Sequence, residues 1–196
     1  CTKENVFRDN DIQVFDVIIS SPSEFKSYEY AYRHQLSSRW LGYTYDYREL
    51  LRGSIGSLYN SQDYTIDIDL LNSVGKRIVT ELIESQRSTA KVRSVARYYI
   101  DIQHAIEKCS CMLNNGGMAL FVVGDTEYKG VKIKNSEHLI QSLLNEGFSD
   151  IKAAKRRISN KLLTPYRDKY GRFSSDKTSR TIYHEEYIIS GRMWRQ

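Results

Sequence analysis

Two stretches of the chain hold side chains whose types and spacing suit chemistry. The first is DVIISSPSEF, residues 16–25, where the apolar run Val17, Ile18, Ile19 gives way to Ser20, Ser21 and Pro22. Proline has no N–H for a sheet ladder and disfavours helix in the residue before it, so a strand must stop there and the chain must turn. Ligands of open α/β sheets bind at strand ends of this kind, which puts the serine hydroxyls where a substrate would be met. The second stretch, residues 155–180, holds nine Lys or Arg against Asp168 and Asp176, a local charge of +7 in a chain of net +5. The rest of the chain is therefore slightly acidic, and the basic window has the field that attracts a polyanion.

Within that window, Lys155 and Arg157 fall on one face of an extended segment and Arg156 on the other. With Lys161, Arg167 and Arg172 they can form a rim of phosphate contacts, and Tyr166, Tyr170 and Phe173 are interleaved as stacking groups. The plainer alternative is a solvated loop whose aromatics pack onto the domain. Asp125, after Gly124, closes an apolar run and orients a loop at the cleft, touches substrate or simply ends a strand. His34, His104, His138 and His184 are scattered without metal spacing, and His104 sits on the polar side of its helix, so no metal is assigned. Cys109 and Cys111, one residue apart, offer neither a disulfide framework nor a zinc pattern, and both are expected to be reduced.

The elements that must position these groups follow from periodicity. A first strand is predicted over about 14–20, then an aromatic stretch containing Tyr28, Tyr30, Tyr32, Trp40, Tyr43, Tyr45 and Tyr47, some of which must be buried and some surface-lining. Leu71, Val74, Ile78, Leu82 and then Val95, Tyr99, Ile102, Ile106, Cys109, Leu113 mark two amphipathic helices, the second stopped by Asn114–Gly117. Met118–Val123 is a continuous apolar run, the pattern of a strand buried on both faces. A third helix is expected over 136–146, with Leu139, Ile140, Leu143 and Leu144 on its apolar face and Gly147 as its stop. Phe148–Ile158 and Thr181–Ser190 are expected as a late antiparallel pair joined by the basic loop.

Helices alternating with interior strands imply βαβ units and a mainly parallel sheet with a closing antiparallel pair, in one α/β domain. No stretch nears the roughly 18 apolar residues of a membrane span, and no apolar signal segment opens the chain, so a soluble, cytoplasmic protein is expected. Gly53-Ser54-Ile55-Gly56-Ser57 is the nearest thing to a cofactor-binding glycine turn, but it follows the polar YDYRELLR and not an apolar strand.

These segments, in this order, resemble the amino-group DNA methyltransferases, which methylate the exocyclic nitrogen of cytosine or adenine with S-adenosylmethionine. ISSPSEFKSYEY is similar to the family's SPPY-type motif. LSSRWLGY and LLRGSIGS resemble the segment after it, IDIQHAIEKCSCMLNNGGMALFVVGDTEYKGVKI resembles a helix, glycine turn, strand and loop, and RRISNKLLTPYRDKYGRF resembles a basic loop before the last strand. The likeness spans most of residues 14–190. A ring amine has a delocalised lone pair and is a poor nucleophile until acceptors hold its protons. In the family a polar first residue and a proline carbonyl do so, and an aromatic side chain packs on a base flipped out of the duplex.

By that resemblance Ser21 and the Pro22 carbonyl are the catalytic acceptors. Ser23 replaces the second proline and Glu24 stands where the aromatic belongs, so base stacking would fall to Phe25, after a one-residue shift, or to Tyr28. The family's acidic, glycine-rich cofactor turn has no counterpart. The chain thus corresponds to strands four to seven of a seven-stranded, Rossmann-like class I methyltransferase sheet. Its first strand would expose an edge that natural proteins cover. The expectation is a C-terminal half completed by a second polypeptide that binds S-adenosylmethionine, as a split enzyme or as the missing part of a cleaved chain, with DNA as substrate and no membrane. Ser21 favours cytosine N4 over adenine N6. The alternatives are a catalytically degenerate DNA-binding or scaffolding subunit, which Glu24 supports, and an RNA-directed methyltransferase.

Overall fold

The structure, a computed structural model, describes residues 14–22, 30–51, 54–57, 67–85, 88–128, 130–158, 166–167, 174–176, 180–181 and 185–195. Its centre is a four-stranded sheet in the order β1-β2-β8-β5, formed by Phe15–Ser20 (β1), Leu113–Val123 (β2), Glu185–Met193 (β8) and Phe148–Arg157 (β5). β1 runs parallel to β2, while β8 is antiparallel to both β2 and β5. Three strands therefore point one way. Only one neighbouring pair is parallel, because the reversed β8 inserts between β2 and β5. The expected closing antiparallel pair is β5 with β8, and β8 begins at Glu185 and extends to Met193, past the expected Ser190. The basic loop between them carries a small pairing of its own, Tyr166–Arg167 (β6) against Arg180–Thr181 (β7).

Three helices close one face of the sheet. The first, α4 (Ser73–Glu84), starts where the Asn72 side chain accepts the Gly75 N–H at 2.9 Å, and it buries Ile78, Val79 and Leu82 at the expected spacing. The second, α5 (Thr89–Met112), buries Val92, Val95, Ala96, Tyr99, Ile102 and Ile106. The third, α6 (Asn135–Asn145), buries Leu139 and Leu143 and ends before Gly147 at φ +80°, a conformation that costs glycine little. Leu144, expected on its apolar face, is exposed. These helices share one core with Ala119, Phe121, Val123 and Ile189, alternate residues of β2 and β8.

The other face is not closed in this way. Met118, Leu120 and Val122 are half-buried, and Val17 and Ile19 beside them on β1 are exposed, Ile19 by 72%. The expectation of a strand buried on both faces is thus corrected, since helix packing reaches only alternate residues. Asn114–Gly117 also differs from expectation: α5 stops at Met112 because Leu113 is already extended, and the four residues lie in β2. There they face an irregular register between Phe15 and Val17, with Gly116 at φ +81° and the Asn114 amide donating to Asp16 Oδ1 at 2.8 Å. A hairpin, Thr126–Tyr128 (β3) and Val131–Ile133 (β4), links β2 to α6. Short helical turns α1 (Tyr30–Arg33), α2 (Gln35–Trp40) and α3 (Tyr47–Leu50) follow β1.

Candidate active site at the carboxyl edge of the sheet

Because β1, β2 and β5 run the same way, their carboxyl ends share one edge, the edge at which open α/β sheets bind ligands. Ser21 and Pro22 leave β1 there, Gly124 and Asp125 leave β2, and Lys155, Arg156 and Arg157 end β5. At about 4.8 Å per strand, the serine and the basic residues stand about 14 Å apart across the sheet. The backbone thus brings the ends of β1, β2 and β5 to one edge.

Ser21 is exposed, and its hydroxyl donates to the Val122 carbonyl across the strand gap at 3.2 Å. Asp125 faces the other way. Its Oδ1 accepts the Ser136 N–H at 2.8 Å and its Oδ2 lies 3.0 Å from the Ser136 hydroxyl, so it ties the end of β2 to the first turn of α6. Asn135 adds a 2.8 Å donation to the Gly124 carbonyl. Burial raises the Asp125 carboxyl above its usual range, and the Ser136 hydrogen bonds oppose that rise. Of its three readings, the one that orients a loop is what the hydrogen bonds describe.

The basic strand end is less free than the sequence implies. Lys155 pairs with Glu185 at 2.6 Å and lies over the Tyr187 ring, while Arg156 pairs with Glu186 on the opposite face. The Glu185 hydrogen bond is the main reason that the Lys155 ammonium titrates above its ordinary value. The +7 window ends at residue 180, so it omits the two carboxylates that the antiparallel register delivers. Pairing KRR against EE across the predicted strands would have found them. Arg157 is exposed beside them. Arg167 lies in β6 opposite Arg180. Phe25, Tyr28, Lys161 and Arg172 lie outside the described residues, as do Ser23 and Glu24.

Of the aromatic stretch, Tyr47 is half-buried and Tyr32, Trp40, Tyr43 and Tyr45 are exposed, Trp40 by 91%, so none of these five is buried as some were expected to be. A shallow depression of ≈ 430 Å³ opens between Leu36, Arg39, Tyr45, Asp46 and Arg48.

At the one candidate turn, the Gly56 N–H donates to the buried Asp101 carboxylate at 2.9 Å, and a Cβ on Gly56 would sit 3.1 Å from that of Tyr98. The described part of that turn, residues 54–57, is thus held against α5 at Gly56. Among the described residues no three His, Cys, Asp or Glu side chains are grouped to hold a metal. None of the described helices is long and apolar enough to cross a membrane.

His138, read from sequence only as lacking metal spacing, is a core residue. It is 1% exposed, stacked on Tyr99 at 4.0 Å, and 3.2 Å from Gln103 Oε1. Burial pushes its pKa down to about 3. His104 is exposed, as expected, and burial raises the Cys109 thiol to about 11, so that thiol is unreactive.

No family model and no curated protein matches the chain. Among solved structures, a protein of Thermus thermophilus described provisionally as a DNA modification methylase aligns with 50% of this chain and 39% of its own, at 14% identity and a TM-score of 0.35.

Proposed function

We propose that the chain is one part of a DNA amino-methyltransferase, acting on cytosine N4 in preference to adenine N6. Ser21 and Pro22 carry this reading: the motif that resembles the family's acceptor pair leaves β1 at the ligand-binding edge, with its hydroxyl anchored and exposed. In the proposed reaction the Ser21 oxygen and the Pro22 carbonyl accept from the target amine and draw its nitrogen toward a tetrahedral shape. Phe25 or Tyr28 packs on the flipped base. Arg157, Lys161, Arg167 and Arg172 grip phosphates, and Lys155 and Arg156 join them by exchanging Glu185 and Glu186 for the backbone. S-adenosylmethionine is supplied by a second polypeptide with the cofactor-binding half of a Rossmann-like sheet, laid along the edge of β1. Val17 and Ile19, apolar and exposed there, support that placement.

A second reading, a non-catalytic DNA-binding or scaffolding subunit, is favoured by Glu24, which would set a carboxylate where the base should stack. The test uses the chain tagged at its own locus and purified with whatever it binds. Transfer of label from S-adenosylmethionine to cytosine N4 of DNA, lost in Ser21→Ala, is expected. DNA binding without transfer, abolished by Arg156→Ala, selects the scaffold. A lone chain that binds the cofactor unaided overturns the division of labour.

A further inference from the structure

In a parallel ladder, a carbonyl facing the neighbouring strand accepts from the residue one register step beyond its partner. β1 pairs with β2 through Ser20 and Phe121, so Val122 falls opposite Ser21 and its carbonyl would look for the N–H of residue 22. That residue is Pro22, which has none. The carbonyl is satisfied instead by the Ser21 hydroxyl, at 3.2 Å.

A serine hydroxyl has one proton and two lone pairs. With the proton committed to Val122, the exposed oxygen has only lone pairs left to offer a ligand. We propose that the main-chain carbonyl of Val122 is a positioning group that fixes Ser21 as an obligate acceptor, so that the site takes a ring amine and refuses a ring carbonyl. Pro22 thus does two jobs: it ends the strand and, by withholding an N–H, frees the carbonyl that orients its neighbour. The inference rests on the function proposed above, since it is the amine of a pyrimidine or purine that Ser21 would meet.

Side chains at position 21 separate this arrangement from a bare acceptor. An asparagine can donate its amide to Val122 and still present an oxygen outward. An aspartate has no proton to donate at neutral pH and sets acceptor against acceptor. With the purified complex and DNA, Ser21→Asp is therefore expected to lose about a hundredfold in kcat, like Ser21→Ala, and Ser21→Asn to lose at least about tenfold less than either. If Ser21→Asp methylates as well as the wild type while Ser21→Ala does not, Ser21 is an acceptor but Val122 is irrelevant, and the inference falls with the proposed function intact.

The placement of the proton is read independently of activity. In the carbon-13-labelled chain, the Val122 carbonyl resonance is expected to shift in Ser21→Ala and Ser21→Asp and to stay near its wild-type position in Ser21→Asn. No shift in Ser21→Ala, in a variant whose other resonances show it folded, overturns the hydrogen bond. A wild-type complex that transfers no label sinks the proposed function, and the amine selection with it, whatever the carbonyl does.

Discussion

The two faces of the sheet make opposite use of the same kind of residue. On one, Ala119, Phe121, Val123 and Ile189 meet three helices and are almost wholly buried. On the other, Val17 and Ile19 continue an apolar surface with half-buried Met118, Leu120 and Val122, and Ile19 is 72% exposed. The closed face also holds a polar junction: the Asn72 side chain donates to the His138 carbonyl and the Ser142 hydroxyl and accepts from the Gly75 N–H, and the Asn72 main-chain N–H donates to Gln103 Oε1. The hydrogen bonds fix how α4, α5 and α6 meet, so this half specifies its own structure. The open face has apolar surface without that specification. The lesson is that one sheet can specify its packing on one side and leave the same kind of apolar residue in solvent on the other.

The largest effect expected from the closed face is pH-driven. His138 has a folded pKa of about 3 and an unfolded one near 6.5, so it is neutral when folded. Above 6.5 neither state takes the proton, and nothing is lost. As pH falls through 6.5 the unfolded chain protonates and the folded one does not. Stability drops by about 1.4 kcal/mol per pH unit, or about 5 kcal/mol by pH 3. Urea titrations at several pH values should show this slope in the wild type, and His138→Phe, which keeps a ring against Tyr99, should lack it. Equal slopes would mean that the helix junction admits the charge.

Next in size is a matched pair of truncations. Leu82→Ala, at a fully buried site of α4, is expected to cost about 2–5 kcal/mol in denaturant unfolding. Ile19→Ala should cost under about 0.5 kcal/mol in the isolated chain. In the purified complex, by contrast, Ile19→Ala should weaken association. An Ile19→Ala chain as destabilised as Leu82→Ala would show that the open face is packed within the chain, and the contrast would vanish.

What sequence disclosed follows the same division. Periodicity placed α6 and β5 to within a residue and found α4, α5 and β2 with starts up to six residues off, because a helix or strand packed on one side advertises its apolar stripe but not its ends. It overstated β2, since Met118–Val123 is apolar throughout and a sequence does not say which face is closed. It misplaced the end of α5, because Asn114–Gly117 resembles a helix stop, whereas Leu113 already pairs with Phe15 on β1. His138 was missed for lack of any local sign: its ring partner, Tyr99, is 39 positions away. Of the candidate site, Ser21 and Pro22 were legible from the strand end, while Val122, a backbone acceptor, has no signature in residue type.

Glycine at the seam between β1 and β2 gives a smaller effect that sharpens the comparison. A Cβ on Gly117 would stand 2.8 Å from the Asn114 carbonyl oxygen and 3.2 Å from that of Asp16, both backbone atoms. Gly117→Ala is expected to cost about 1–3 kcal/mol and to loosen β1 first. Hydrogen exchange should show faster exchange in β1 while α4 and α5 stay protected. At Gly191 the nearest obstacle is the tip of the Ile151 side chain at 2.7 Å, which can turn aside, so Gly191→Ala should be milder. The reverse ranking would mean that β1 accommodates the methyl by shifting bodily.

The smallest effect on stability belongs to the strand ends at the site edge, where a change in function is expected instead. Lys155–Glu185 and Arg156–Glu186 are surface pairs, and such pairs contribute little to folding. Glu185→Gln with Glu186→Gln should leave the thermal midpoint unchanged and free two cations for phosphates. DNA affinity should rise several-fold at low salt, and the slope of log affinity against log salt should steepen by at most about 2. A fall in the thermal midpoint would make these pairs part of the fold, joining the site edge to the self-sufficient half. Unchanged affinity would place the DNA away from β5 and leave the grip to Lys161, Arg167 and Arg172.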